Sequence, residues 1–132
     1  MKHLLIAASA LTLASCTLEV APPDTTPTPA TIPVALHGEW GLTALDCVSI
    51  NGDNKGMITV DAASVKFYES RAVLATASAI TTTSVTGVFN FTGEGQTWTR
   101  AMSLRLAGAT QLVRSESGPG AMTQPLTYTK CP

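Results

Sequence analysis

Two runs of strict alternation, joined by Gly93-Glu94-Gly95, constrain this chain more than any other feature. Val85, Gly87, Phe89 and Phe91 alternate with Thr86, Val88, Asn90 and Thr92. Trp98, Met102, Leu104 and Leu106 share one parity against Thr97, Thr99, Ala101, Ser103 and Arg105. A period of two turns one face to a core and the other to water, as half-buried strands require. The glycine turn is too short for a crossover, so the two strands must form an antiparallel hairpin.

The same period runs through the chain from Val34 onward, and no stretch sustains a helical face for three turns. Strands are expected near 38–45, 57–61, 64–69, 71–80, 85–92, 96–106, 110–115 and 124–130. Clear turns fall at Asn51–Gly56 and Ser117–Gly120. Glu69-Ser70-Arg71 either separates two strands or bends a single one running from Val65 to Ile80. Eight short sequential strands imply an all-β domain, a small antiparallel eight-stranded up-and-down barrel or sandwich; closure into a barrel removes exposed edges.

Composition agrees with that class. Charged residues make up 13% of the chain against the usual ~25%, and threonine, which suits strands, takes up much of the difference. A net charge of −1 leaves no basic face for nucleic acid.

Upstream of the domain the chain reads differently. Thr17 to Pro33 contains five prolines, scattered threonines and no hydrophobic period, so it is a linker. At ~3.1 Å per residue it can hold the domain up to about 50 Å from whatever precedes it. Met1-Lys2-His3 is a short basic start and Leu4 to Leu13 an apolar run about half the ~20 residues a bilayer span needs, which marks a signal peptide. That run ends in Leu13-Ala14-Ser15-Cys16, which resembles the lipobox of bacterial lipoproteins. The resemblance implies loss of residues 1–15, a diacylglyceryl group on Cys16 and acylation of the new amino terminus, with palmitate as a typical chain. Two or three acyl chains anchor effectively permanently, because each buried methylene contributes about 0.8 kcal/mol. The competing reading is an ordinary secretory peptide cleaved after Ala14 or Ser15. Thr17 stands where aspartate would resemble the inner-membrane retention signal of enteric bacteria, so the resemblance implies the outer membrane, with the domain facing the periplasm.

Setting Cys16 aside leaves Cys47 and Cys131. In an oxidising exported compartment the default for such a pair is a disulfide, here tying the start of the domain 34–132 to its end; the rival is a reactive or metal-binding thiol, which has no ligand cluster behind it.

Gly38-Glu39-Trp40 is similar to the Gly-x-Trp opening strand of the calycin barrels, a group that includes lipocalins and bacterial β-barrel protease inhibitors exported to the periplasm. In those folds the tryptophan closes one barrel end and an arginine from a late strand packs over it. The resemblance therefore implies end closure by Gly38, Trp40 and Arg114.

Chemistry has few footholds. His37 is the sole histidine after the signal peptide, and a set with Asp46 and a serine can be drawn, but no nucleophile elbow accompanies it. No catalytic residue is assigned, and the domain is expected not to be an enzyme. Asn51–Gly56 resembles half of a calcium loop, yet Lys55 places a cation among the ligands and position twelve is Ala62 rather than a carboxylate. The loop reads as a turn, no metal ligand is assigned, and no cofactor is expected beyond the covalent lipid on Cys16. Phe67, Phe89, Phe91 and Trp98 fall on the apolar parity and belong to the core. Tyr68 lies opposite Phe67, so Tyr68, Glu69 and Arg71 form a candidate interaction surface; the alternative is an exposed tyrosine beside a solvated ion pair.

Together these readings lead to the expectation of a non-catalytic lipoprotein, joined to the membrane through its lipid, whose β domain binds an envelope protein or other envelope component. The alternatives are a periplasmic β-barrel protease inhibitor and a carrier of small apolar ligands. In the resembling inhibitors a free amino-terminal segment enters the protease, whereas here that end is tied to lipid.

Overall fold

The computed structural model describes residues 29–132. The expected signal peptide, Cys16 and the expected linker up to residue 28 lie outside the described residues. A 3-10 turn (Val34–Leu36) leads into β1 (Gly38–Gly41), and a second 3-10 turn (Ala44–Cys47) follows it. Then come β2 (Met57–Val60), β3 (Ser64–Lys66), β4 (Arg71–Thr81), β5 (Ser84–Gly93), β6 (Gln96–Leu106), β7 (Gln111–Ser117) and β8 (Leu126–Lys130). Each strand pairs antiparallel with the next, and β8 returns to β1, so the sheet is a closed up-and-down barrel rather than a sandwich.

The alternation that predicts the central hairpin sets its register. Gly93 pairs with Gln96, leaving Glu94-Gly95 as a two-residue loop with φ of 49° and 74°. Positive φ at both positions is a type I′ turn, whose twist matches the flanking strands. Glycine adopts it freely, whereas Glu94 does so at a cost of about 1 kcal/mol. Along β4 the register against β5 shifts twice, between Leu74 and Thr76 and between Ala77 and Ala79. Such bulges bend and twist a strand, which helps a small sheet to close.

Among the strand boundaries that differ from the sequence reading, three have a clear local reason. β1 ends at Gly41 instead of 45 because Thr43 and Asp46 form a capping box that turns the chain into the second 3-10 turn. β8 starts at Leu126 instead of 124; Pro125, just before it, has no N–H for a ladder. The Phe67 N–H donates to the Ser70 carbonyl at 2.8 Å, so β3 and β4 are two strands joined by a turn.

Inside the barrel, Trp40, Val65, Val85, Phe89, Leu104, Leu112 and Tyr128 form one continuous core. Each fully buried residue of this size contributes roughly 1.5–3 kcal/mol. Ile32 and Leu36 belong to the same core. The Ile32 N–H donates to the Ala62 carbonyl at 2.8 Å and the Trp40 indole donates to the Leu36 carbonyl at 2.9 Å. The packed domain therefore takes in the end of the stretch read as linker. Residues 32–36 close the end of the barrel that carries the β2–β3, β4–β5 and β6–β7 turns. The far end carries the long 42–56 connection, the β3–β4 and β5–β6 turns and the segment from 118 to 125.

Candidate functional site

The connection leaving β1 presents apolar side chains to solvent. Leu45, Val48 and Ile50 are 76%, 63% and 93% exposed. Exposed apolar side chains are ordinary when scattered, but three within six residues of one turn form a patch. Beside it runs a groove of about 340 Å³ lined by Leu42, Ala44, Cys47, Val48, Thr129 and Pro132, among others.

Local bonding fixes this connection. The Asp46 carboxylate accepts from the Thr43 N–H at 2.7 Å and the Thr43 hydroxyl at 3.0 Å. Its other oxygen accepts from the Gly56 N–H at 2.9 Å, and the Leu42 N–H donates to the Gly56 carbonyl at 3.2 Å. Burial alone would push the Asp46 carboxyl up, but the donors of Thr43, Gly56 and Leu42 outweigh it and hold it below the usual range. Cys47 and Cys131 are joined as a disulfide, with Cα atoms 5.3 Å apart. This bond straps the outer side of the β1–β8 seam, where only Trp40–Lys130 and Gly41–Thr129 are in register.

At the seam, the end-closure assignment changes. Trp40 is buried, and the cation over its ring is Lys130, whose Nζ lies 4.4 Å from the indole centroid and donates to the His37 carbonyl. Register explains this: Lys130 pairs directly with Trp40, whereas Arg114 pairs with Leu104 and Leu126 nearer the far end. Gly38, with φ 115°, opens β1, and a side chain there would collide with the Lys130 ammonium.

Arg114 instead lies 4.5 Å from the Phe67 centroid and 5.7 Å from that of Tyr128. Phe67 stacks on Phe91 at 5.8 Å and Phe91 on Trp98 at 5.3 Å, with Arg100 5.9 Å from the Phe91 centroid. Glu116 accepts from Arg100 at 2.9 Å and stands 3.8 Å from the Arg114 Nε. Burial pushes the Tyr128 phenol up, with the Arg114 charge opposing. Arg100 and Glu116 were missed at the sequence level although parity points to them: Arg100 lies between Trp98 and Met102, and Glu116 follows Leu112 and Arg114 at the same spacing.

The candidate surface of Tyr68, Glu69 and Arg71 is divided. Tyr68 is 46% exposed with Lys55 5.7 Å from its ring centroid, and Glu69 is exposed in the turn. Arg71 pairs not with Glu69 but with Asp61, at 3.7 Å between two exposed side chains. The Asp61 carboxyl is held low, first by the Ala63 N–H, then by Ser64 and Arg71. His37 and Asp46 serve the backbone: the His37 ring is 2.8 Å from the Ile32 carbonyl, and both Asp46 oxygens are used as described. In the Asn51–Gly56 loop, Asp53 accepts from Ser49 and the Asn54 amide donates to the Met57 sulfur, so these polar groups bond within the turn. Among the described residues, no three His, Cys, Asp or Glu side chains are grouped to hold a metal.

Compared with protein-family models, with curated proteins and with solved structures, the chain finds no match in any of the three.

Proposed function

We propose that this chain is a non-catalytic lipoprotein, anchored through Cys16 to the periplasmic face of a bacterial outer membrane, and that its barrel binds an envelope protein. One observation carries the binding reading: Leu45, Val48 and Ile50 are exposed on a segment that the disulfide and the Asp46 bonds hold in place. A backbone held in place before binding loses little entropy on docking, which favours a protein partner over a passive spacer role. A Leu45→Ser, Val48→Ser, Ile50→Ser variant tests it. These side chains lie outside the core, so the barrel should melt as wild type while partner co-purification from the envelope is lost. Co-purification unchanged in the triple variant would reject this surface.

A second reading, protease inhibition, draws support from the closed barrel with Trp40 near one end. With the amino terminus tied to lipid, inhibition would have to use a loop such as 51–56 or 117–120. A panel of secreted serine and metalloproteases tests it, and no inhibition at micromolar excess removes it.

A further inference from the structure

Closure of the barrel leaves one strand partly uncovered. β4 extends from Arg71 to Thr81, but β3 meets it only at Arg71, Ala72 and Val73, and the last contact on that side is the Leu74 N–H donating to the Ala63 carbonyl at 2.9 Å. Over residues 75–81 the strand is paired on one side alone, to β5. Among the described residues, no backbone hydrogen bond joins this stretch to any other element. Alternate residues of an antiparallel strand turn their N–H and C=O away from the partner they pair with. This length of β4 therefore presents unmet donors and acceptors along an edge.

Open edges are normally protected by a lysine, a proline or an inward-pointing charge. None of these is present here: residues 72–93, which span almost the whole β4–β5 hairpin, contain no charged residue and no proline. Two bulges bend β4, between Leu74 and Thr76 and between Ala77 and Ala79, but its ladder to β5 resumes after each. Apart from Ile80, the side chains of residues 75–81 are alanine, serine and threonine, and all but the half-buried Ala77 are exposed. Small side chains let a second backbone come within the ~4.8 Å that a strand pair requires. Val73, Ile80 and Val88 flank the edge, 42%, 45% and 41% exposed, and add apolar surface beside it.

We propose that this edge pairs with the same edge of a second copy of the chain, antiparallel, as most strand pairs are, so that two barrels share one continuous sheet. A twofold pairing sets a segment against itself, and like charges directly opposite destabilise a strand pair. Residues 75–81 carry no charge, so no register of the pairing brings like charges together. The same neutrality gives a charged partner nothing to recognise, whereas main-chain bonds supply affinity without charge. This surface shares no residue with the apolar turn at 45–50 and does not depend on the lipid, so it stands or falls separately.

The test co-expresses two differently tagged copies of the full chain in intact cells, with a photo-crosslinking amino acid at Ser78 or, as the control, at Thr99, an exposed residue of β6. Ser78 is expected to give a product of twice the chain mass that carries both tags, and Thr99 none. Ala79→Lys in both copies sets like charges across the pair and should abolish the product. One copy with Ala79→Lys and the other with Ala79→Glu should restore it, because opposite charges across a strand pair attract. Should the Ala79 variants not fold, the wild-type comparison of Ser78 with Thr99 decides. No doubly tagged product from Ser78, an equal yield from Thr99, or a product that persists in folded Ala79→Lys overturns the proposal. A Ser78 adduct to a different protein, or to residues 17–21 of the same chain, overturns the second copy as the occupant of the edge.

Discussion

Lys130 lies over the indole of Trp40, its Nζ 4.4 Å from the ring centroid, on the residue pair that closes β8 onto β1. The cation, its bond to the His37 carbonyl and the ladder pair act at one point. Lys130→Met keeps the stem and removes the charge, so it should destabilise the barrel by about 1–2 kcal/mol. In a Trp98→Phe background it should also shift Trp40 emission, whereas Arg114→Met should leave that emission in place. Chemical denaturation followed by fluorescence checks both.

The disulfide reinforces the same seam. With the cysteines 84 positions apart in sequence, chain entropy assigns it about 4.5 kcal/mol. Cys47→Ser with Cys131→Ser should lose most of that. The Cys131 amide, which donates to the Glu39 carbonyl across the seam, should lose hydrogen-exchange protection before the amides of the β5–β6 ladder. Uniform loss across all strands would show that the bond does not act locally.

Asp46 gives a pH signature. Its carboxyl is held low in the folded protein, so its contribution is present above the unfolded-state value of about 3.9 and is lost as pH falls through the lower native value. Asp46→Asn should cost about 1 kcal/mol at neutral pH, the usual worth of a cap. The gap from wild type should narrow as the medium is acidified. Urea midpoints measured across pH 7 to pH 3 read this directly, and a gap that widens on acidification contradicts it.

Glu94 occupies the first position of a type I′ turn with φ 49°. Asparagine tolerates that conformation better, so Glu94→Asn should raise stability by about 0.5–1 kcal/mol. A lower melting temperature would mean that the glutamate side chain makes a contribution that outweighs its strain.

Much of the barrel is legible because period two and turn chemistry are local. Gly93-Glu94-Gly95 predicts the hairpin, and the apolar parity of Phe89 and Phe91 predicts which face is buried. The failures are non-local. Whether Lys130 or Arg114 reaches Trp40 depends on how β8 registers against β1, and no local pattern encodes that register. Ile32 looks like linker because proline surrounds it; its burial depends on an open barrel end that only the closed sheet creates. Arg100 was legible in principle, but charge overrode parity although the residue lies on the inward face between Trp98 and Met102. Arginine can lie inside a small barrel when its guanidinium lies over an aromatic ring and meets a carboxylate, as with Phe91 and Glu116 here.

Docking of a partner protein on the exposed apolar turn after β1 is open to direct test. A photo-crosslinking amino acid placed at Ile50, with Thr86 on β5 across the barrel as the control, tests it most directly in intact cells. A discrete protein adduct from Ile50, absent from Thr86, is the result expected. No adduct at Ile50, or the same adducts from both positions, would contradict it.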